Sequence, residues 1–252
     1  MKDRKTLTPA ERLIVAADFK PQGRVWVEHQ VVNLAKALQG TGVYLKVNSA
    51  LRSVGYGLIE TIRSYGLKVF ADLKLYDIPE TLGTDGALLN EYKPELLTVV
   101  CSAGMASMQG LKTQLPETEV LGVTVLTSLK TEDLPGLGYP AQISLDVVIR
   151  ALTETAMKSG IDGNICSAKE AELVRRVMVE QEKPNATINT PAIRPTWAIV
   201  PGDDQNPDRI MTPAKAIKAG ADRIVVGRPI VKAEKPYDAV MRTIEEIASA
   251  IG

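Results

Sequence analysis

The segment KVFADLKL (68–75) carries an aspartate and a lysine two residues apart near its end, Asp72 and Lys74. Side chains alternate along a strand, so residues two apart share a face. Val69, Ala71, Leu73 and Leu75 then form one apolar face, and Asp72 and Lys74 point together to the other. The same count over VYLKVN (43–48) turns Lys46 away from Leu45 and Val47, and Asp18 ends the run LIVAAD (13–18). Asp77 follows three residues after Lys74. A lone buried charge is costly, whereas opposite charges in alternation offset one another. Asp72 and Lys74 by themselves could be a plain buried ion pair. Further charges at adjacent strand ends point instead to a preorganised electrostatic site of ammonium groups and carboxylates. The lone histidine, His29, falls within a predicted helix, as a solvated or packed residue far from the strand ends. A histidine base, a Ser–His dyad or a His-ligated metal therefore has no residue to rest on, which fits chemistry performed by lysines and carboxylates.

Holding such groups together requires a scaffold of strand ends. Eight short apolar runs read as buried parallel strands, at 13–18, 43–48, 68–75, 96–103, 120–127, 163–167, 186–193 and 223–230. Segments of helical periodicity lie between them, among them VEHQVVNLAKALQ, LDVVIRALTETAMKSG and the last, PYDAVMRTIEEIASAIG. Gly66, Gly160 and Gly220 sit where helices stop. Eight strand–helix units make a parallel α/β protein, and eight is the count that closes a barrel. The expected fold is a (β/α)8 TIM barrel with residues 1–252 in a single domain, because no linker or composition break divides the chain. A doubly wound open sheet is the rival, but VAADFKPQG is not the Gly-rich turn that such a sheet carries after its first strand. The two longest inter-element segments, 128–143 and 194–212, follow the fifth and seventh strands on the face where barrel enzymes place their sites.

An anion site is legible at the end of the barrel. Arg194 ends the seventh run, and Gly227 and Arg228 end the eighth, the usual phosphate position in these barrels. Arginine donates two parallel hydrogen bonds to phosphate, and glycine lets backbone N–H groups approach closely. Arg209 and Arg223 read as surface arginines making salt bridges, a reading that suits Arg228 poorly because it directly follows IVVG. Thirty basic residues offset thirty acidic ones, which excludes a nucleic-acid binder working through a broad basic field. The hydrophobic share of 45% and charged share of 24% are those of a soluble globular protein. Cys101 and Cys166 lie apart in apolar stretches, as buried reduced thiols rather than zinc ligands. The first residues lack the pattern of a signal peptide, and no apolar stretch reaches the length of a membrane span, so a cytoplasmic protein is expected.

DLKLYDIPET (72–81) resembles the D-x-K-x-x-D-I-P-x-T signature of the orotidine monophosphate decarboxylases, in their bacterial form. VTVLTS (123–128), TPAIRP (190–195), DQ (204–205), RIMTPAKAI (209–217) and GADRIVVGRPI (220–230) agree with that family in order, so the likeness spans essentially all eight strands. The ten-residue motif is the specific part, since many phosphate-binding barrels carry the shorter pieces. The resemblance implies conversion of orotidine 5′-monophosphate to uridine 5′-monophosphate (UMP) and CO2, the last step of de novo UMP synthesis, without metal or organic cofactor. It implies that Lys46, Asp72, Lys74 and Asp77 surround the reacting carbon, with Lys74 protonating C6 and Asp72 beside the substrate carboxylate. Asp18 and Lys46 are then expected at the ribose hydroxyls, Thr127 and Ser128 at the pyrimidine, and Arg194, Gln205, Gly227 and Arg228 at the phosphate, with Ile78 also binding substrate. Asp77 and Thr81 are expected to reach a neighbouring subunit's site, which makes the enzyme a homodimer. The chain departs from the family at Tyr76, commonly His, and at Asn48 and Ala192, commonly Gly. Ala192 bears on the local loop, because Ala tolerates positive φ less well than Gly.

Two other readings use the same residues. A Mg2+-dependent sugar-phosphate decarboxylase or hexulose-phosphate synthase shares D-x-K-x-x-D, but Ile78 to Thr81 and the DQ pair favour the nucleotide enzyme. A non-catalytic UMP-binding barrel has no use for a proton donor beside two carboxylates. No array-type repeat or low-complexity tract supports a scaffold role.

Overall fold

Strands that are covered on both faces must be apolar on both, and the eight apolar runs form such strands. The computed structural model describes residues 3–20, 22–199 and 211–251. Its strands are β1 (Leu13–Ala16), β2 (Tyr44–Val47), β3 (Lys68–Leu75), β4 (Leu96–Val100), β5 (Glu119–Val123), β6 (Gly163–Ile165), β7 (Thr187–Thr190) and β8 (Arg223–Val226). They pair in parallel in chain order, and β1 also pairs with β8, so the expected barrel is closed. Around it run α1 (Arg24–Ala37), α2 (Ser49–Val54), α3 (Gly57–Ser64), α4 (Pro79–Tyr92), α5 (Met105–Gln114) and α6 (Leu145–Lys158). The layer continues with α7 (Ala171–Glu180), α8 (Pro213–Lys218), the short α9 (Arg228–Val231) and α10 (Pro236–Ile251). No helix of the described residues is long and apolar enough to cross a membrane.

Several strands stop short of the C-terminal ends of their apolar runs, and β2 and β7 also begin one residue late. After β4 the chain turns through a 3-10 helix, Cys101–Ala103, and after β8 Gly227 caps α9. The apolar character persists because these turns remain packed under the helices, while the backbone leaves the ladder to shape the barrel mouth. The 128–143 segment contains a 3-10 helix, Thr131–Leu137.

Two apolar layers follow from strand alternation. Leu45, Val47, Val69, Ala71 and Leu73 face outward into the large core beneath the helices, as expected for that face of β2 and β3. Ile14, Tyr44, Phe70, Leu96, Leu121 and Val225 fill the barrel interior. The register between β3 and β4 is irregular: Ala71 pairs with Leu97 and Leu75 with Val99, so Asp72, Leu73 and Lys74 together face Thr98 alone.

The floor of the barrel corrects one expectation. Arg223 is not a surface arginine. It opens β8 facing inward, is 2% exposed, and pairs with Glu119 through two hydrogen bonds of 2.8 Å. Its Nη1 also donates to Asn189 Oδ1 at 3.2 Å. Gly163 on β6 makes room for this layer, since a Cβ there would meet Thr187 Oγ1 at 2.4 Å. Removing one partner of a buried pair leaves the other uncompensated. Glu119→Ala is therefore expected to lower the unfolding free energy by about 3–5 kcal/mol, measured by urea denaturation. A loss below about 1 kcal/mol, the size of a surface pair, would show that the floor contributes no more than an exposed contact.

Candidate active site

The C-terminal mouth of the barrel opens on a cavity of about 520 Å³, within the usual range for small-molecule sites. Charges line one side of it in a continuous chain. Lys46 Nζ, at the end of β2, donates to Asp18 Oδ2 at 2.9 Å and to Asp72 Oδ2 at 3.2 Å. Lys74 Nζ donates to both oxygens of Asp72 at 2.7 Å. Thr98 on β4 completes the shell of Asp72, donating from Oγ1 to Oδ1 at 3.0 Å. Lys46 and Asp72 are each only 7% exposed, Lys74 is half-buried, and Asp18 is open to the cavity. The inward orientation expected for Lys46, Asp72 and Lys74 is thus what the strands produce.

The sequence order Asp18, Lys46, Asp72, Lys74 alternates in sign around the rim, so each buried charge has an opposite neighbour. Burial alone pushes the Asp72 carboxyl up, but the Lys46 and Lys74 ammonium groups and the hydrogen bonds from Lys74 and Thr98 outweigh it. Its pKa ends below the ordinary carboxylate value, and Asp72 is a carboxylate at neutral pH.

The backbone at Lys74 is unusual. Its φ is 48°, a left-handed conformation rare for a residue with a side chain. The irregular register at this point frees two ladder groups, and side chains take both. The Lys74 N–H donates to Thr98 Oγ1 at 2.9 Å, and the Leu73 carbonyl accepts from Arg52 of α2.

Arg194, Gly227 and Arg228 line the same cavity, together with Pro191 and Ala192, from the ends of β7 and β8. Phe70, Val123, Val125, Leu126 and Ile165 supply apolar walls, and Thr127 reaches the same cavity. Arg194 is 8% exposed and Arg228 is exposed. Ala192 adopts φ 63°, so the chain takes the glycine-type conformation there without glycine.

Other expected residues do not line this cavity. Asp77 is exposed, its Oδ1 accepting from the N–H of Ile78 at 2.7 Å, and it faces a separate cleft with Tyr56 and Asp85. Within one chain the charged group is therefore Asp18, Lys46, Asp72 and Lys74, and Asp77, which was expected to reach a neighbouring subunit's site, lies outside this cavity. Ile78 is 62% exposed, Thr81 sits in the first turn of α4, and Ser128 is exposed beyond Thr127. Gln205 and Arg209 lie outside the described residues. Asn48 precedes α2 and borders a neighbouring cleft that shares Asp18, Lys46, Asp72 and Lys74. Tyr76 is exposed, as is His29 on α1. Cys101 and Cys166 are buried free thiols, and burial pushes Cys101 up to about 12. Among the described residues no group of three or more His, Cys, Asp or Glu side chains is placed to hold a metal ion.

Sequence reasoning missed Thr98 and Phe70. Phe70 shares the alternation of Asp72 and could have been assigned inward by the same count. Thr98 offered only a polar residue within LLTVV, a signal that does not distinguish a barrel-wall hydroxyl from an ordinary β-former.

The chain is similar to known proteins over nearly its whole length. The family model described as "Orotidine 5'-phosphate decarboxylase / HUMPS family" matches residues 11–243. The chain is 35% identical over 241 residues to orotidine 5'-phosphate decarboxylase of Pseudomonas entomophila (strain L48), covering 93% of this chain and 96% of that one. It is equally 35% identical over 241 residues to the protein of that name from Pseudomonas aeruginosa (strain UCBPP-PA14), covering 93% and 97%. Among solved structures, orotidine 5'-phosphate decarboxylase from Lactobacillus acidophilus superposes with a TM-score of 0.77 at 27% identity, covering 94% of this chain and 99% of that chain.

Ala192 stores backbone strain that glycine would relieve. The left-handed conformation costs a non-Gly residue roughly 1–2 kcal/mol, and glycine returns part of that through its freer unfolded chain. Ala192→Gly is expected to raise the unfolding free energy by about 0.5–1 kcal/mol, read as a higher urea midpoint. A lower midpoint would mean that the methyl group contributes more by packing than its backbone loses by strain.

Proposed function

Because this chain belongs to the orotidine 5′-phosphate decarboxylase / HUMPS family, we propose that it decarboxylates orotidine 5′-monophosphate to UMP and CO2, with no metal or organic cofactor. The observation that carries this reading is the Lys74 ammonium held on both oxygens of Asp72 inside a cavity that two arginines also line. Loss of CO2 breaks the C6–carboxyl bond and leaves its electron pair on C6. Lys74 delivers one of its protons to that carbon, which leaves a neutral amine and completes UMP. The substrate carboxylate lies beside Asp72, where Lys46 and Lys74 keep the two negative groups from facing each other unshielded. As the charge moves from the carboxylate to C6, the fixed ammonium groups follow it with little rearrangement, and stabilisation is greatest in the transition state. The apolar walls from Phe70, Leu126 and Ile165 exclude water, which strengthens every charge interaction inside.

Arg194, Gln205, Gly227 and Arg228 take the phosphate, while Asp18 and Lys46 bind the ribose hydroxyls and Thr127 and Ser128 the pyrimidine. Asp77 and Thr81, with Ile78 beside them, serve the site of a second copy of the chain, so the working form is a homodimer. Their support is position: Asp77 and Ile78 are exposed and outside the cavity of their own chain, yet only a few residues past Lys74. Buried thiols suit a cytoplasmic enzyme.

The reading is tested by following the ultraviolet absorbance of orotidine 5′-monophosphate with purified, metal-free protein. Turnover unaffected by EDTA is expected. Dependence on added Mg2+ would assign the chain to the metal-using members of its superfamily instead. Lys74→Ala is expected to lose decarboxylation by about 10²–10⁴-fold, the span of a positioned proton donor, while UMP still binds. Near-wild-type turnover would remove Lys74 from the chemical step. Arg228→Ala is expected to weaken UMP inhibition by about 10- to 100-fold, the scale of a charged hydrogen bond. An unchanged inhibition constant would mean that the phosphate is held elsewhere.

A further inference from the structure

The Thr98 hydroxyl has one proton to give and two lone pairs to accept with. The Lys74 amide, at 2.9 Å, can only donate. The hydroxyl is thus an acceptor on that side, and its own proton is committed to Asp72 Oδ1 at 3.0 Å. Thr98 is fully buried, so water takes neither role. One side chain on β4 therefore ties the backbone of the lysine to the carboxylate that the lysine's own ammonium grips.

The register explains why such a tie is needed. Three residues of β3, Asp72 to Lys74, face Thr98 alone, so the regular ladder cannot satisfy the Lys74 amide. The left-handed φ of 48° bends the chain and lets Lys74 Nζ reach back to within 2.7 Å of both Asp72 oxygens. A non-Gly residue persists in that conformation only where its surroundings over-determine it. Thr98 holds one freed group of the distortion and Arg52 the other.

We propose that Thr98 is a positioning residue of the reaction: its hydroxyl clamps the β3 distortion and sets the relative placement of the Asp72 carboxylate and the Lys74 ammonium. The inference rests on the decarboxylase reading for its kinetic arm only. The charged groups around Asp72 are Lys46 from β2, Lys74 from β3 and, through Lys46, Asp18 from β1. Thr98 adds the hydrogen bond from β4, which favours the ionised carboxylate.

The test compares wild type with Thr98→Val, which keeps the shape but loses the hydroxyl, and Thr98→Ser, which restores it. Thr98→Val is expected to lower kcat by about 10- to 100-fold, the scale of a lost hydrogen bond to a charged group, with KM changed by less than about threefold. The Asp72 titration, followed by carboxyl carbon NMR and assigned with Asp72→Asn, is expected to move upward. Thr98→Ser is expected to recover most of kcat and return the titration to its wild-type position. A mere packing role predicts neither the KM-against-kcat split nor the rescue. Wild-type kcat in Thr98→Val with an unmoved Asp72 titration would overturn the proposal, as would Thr98→Ser being as impaired as Thr98→Val. Should wild type show no decarboxylation, the functional reading fails, and the Asp72 titrations alone decide for or against the clamp. Should Thr98→Val not fold, Thr98→Cys, with its weak S–H donor, takes its place: a raised Asp72 titration supports the clamp and an unmoved one overturns it.

Discussion

The carboxylate of Asp72 sits where an isolated charge would cost several kcal/mol to keep, and four strands share the work of keeping it. Lys46 approaches from β2, Lys74 from β3 itself and the Thr98 hydroxyl from β4, while Asp18 beyond β1 balances Lys46. Apart from the Lys74 contact within β3, each of these spans a different pair of neighbouring strands, so the geometry exists only once β1 to β4 lie side by side. The arrangement also sets the demand on β3, which must abandon its regular ladder to fold the lysine back over the aspartate. The strain at Lys74, the hydroxyl on β4 and the capture of the Leu73 carbonyl by Arg52 all follow from that single requirement.

The two ends of the barrel solve the problem of buried charge in different ways. At the floor, Glu119 and Arg223 meet as a bidentate pair, side by side with Asn189. That suits a structural tie, because a planar guanidinium matches a carboxylate with little left over. At the mouth, two lysines share one buried aspartate, and the Lys74 ammonium, with two of its three donors on Asp72, keeps one for a ligand. A compact, mobile ammonium can give up a proton at accessible cost, whereas a guanidinium cannot. The residue types therefore separate the ends by purpose: arginine where the pair must never change state, lysine where it must.

Much of this was legible in the sequence, for reasons that also mark where the reading stops. The period of two along β2 and β3 assigned Lys46, Asp72 and Lys74 to the interior, because the other orientation would bury the three charges among the apolar side chains beneath the helices. The barrel itself was legible from eight apolar runs. Their C-terminal limits were not, since Cys101 and Gly227 leave the ladder while staying packed, and hydrophobicity does not report hydrogen bonding. Arg223 was misread because a lone arginine at the start of a run resembles a surface residue. Its interior role depends on Glu119, a partner 104 positions away in the chain. Thr98 was invisible for a similar reason: its function comes from the two residues by which β3 outruns β4. Alternation along a single strand carries no information about a mismatch between two.

Asp77 shows the same limit from the other side. The motif D-x-K-x-x-D reads as one cluster, yet the second aspartate stands outside the cavity that the first two residues share. Within one chain the four charges at the mouth, Asp18, Lys46, Asp72 and Lys74, sum to zero, and every ammonium already touches a carboxylate. A nucleotide brings a phosphate and a carboxylate into that neutral group. On the proposed reading Arg194 and Arg228 take the phosphate, and the substrate carboxylate enters beside Asp72 and shares its lysines. Its arrival, on the same reading, loosens the hold of Asp72 on Lys74, and CO2 then leaves as a neutral molecule while the charge stays on C6 until Lys74 protonates it. On that reading the proton donor is least encumbered while the carboxylate is bound, and the proposed Thr98 clamp on the backbone distortion at Lys74 keeps the ammonium from swinging away during that interval.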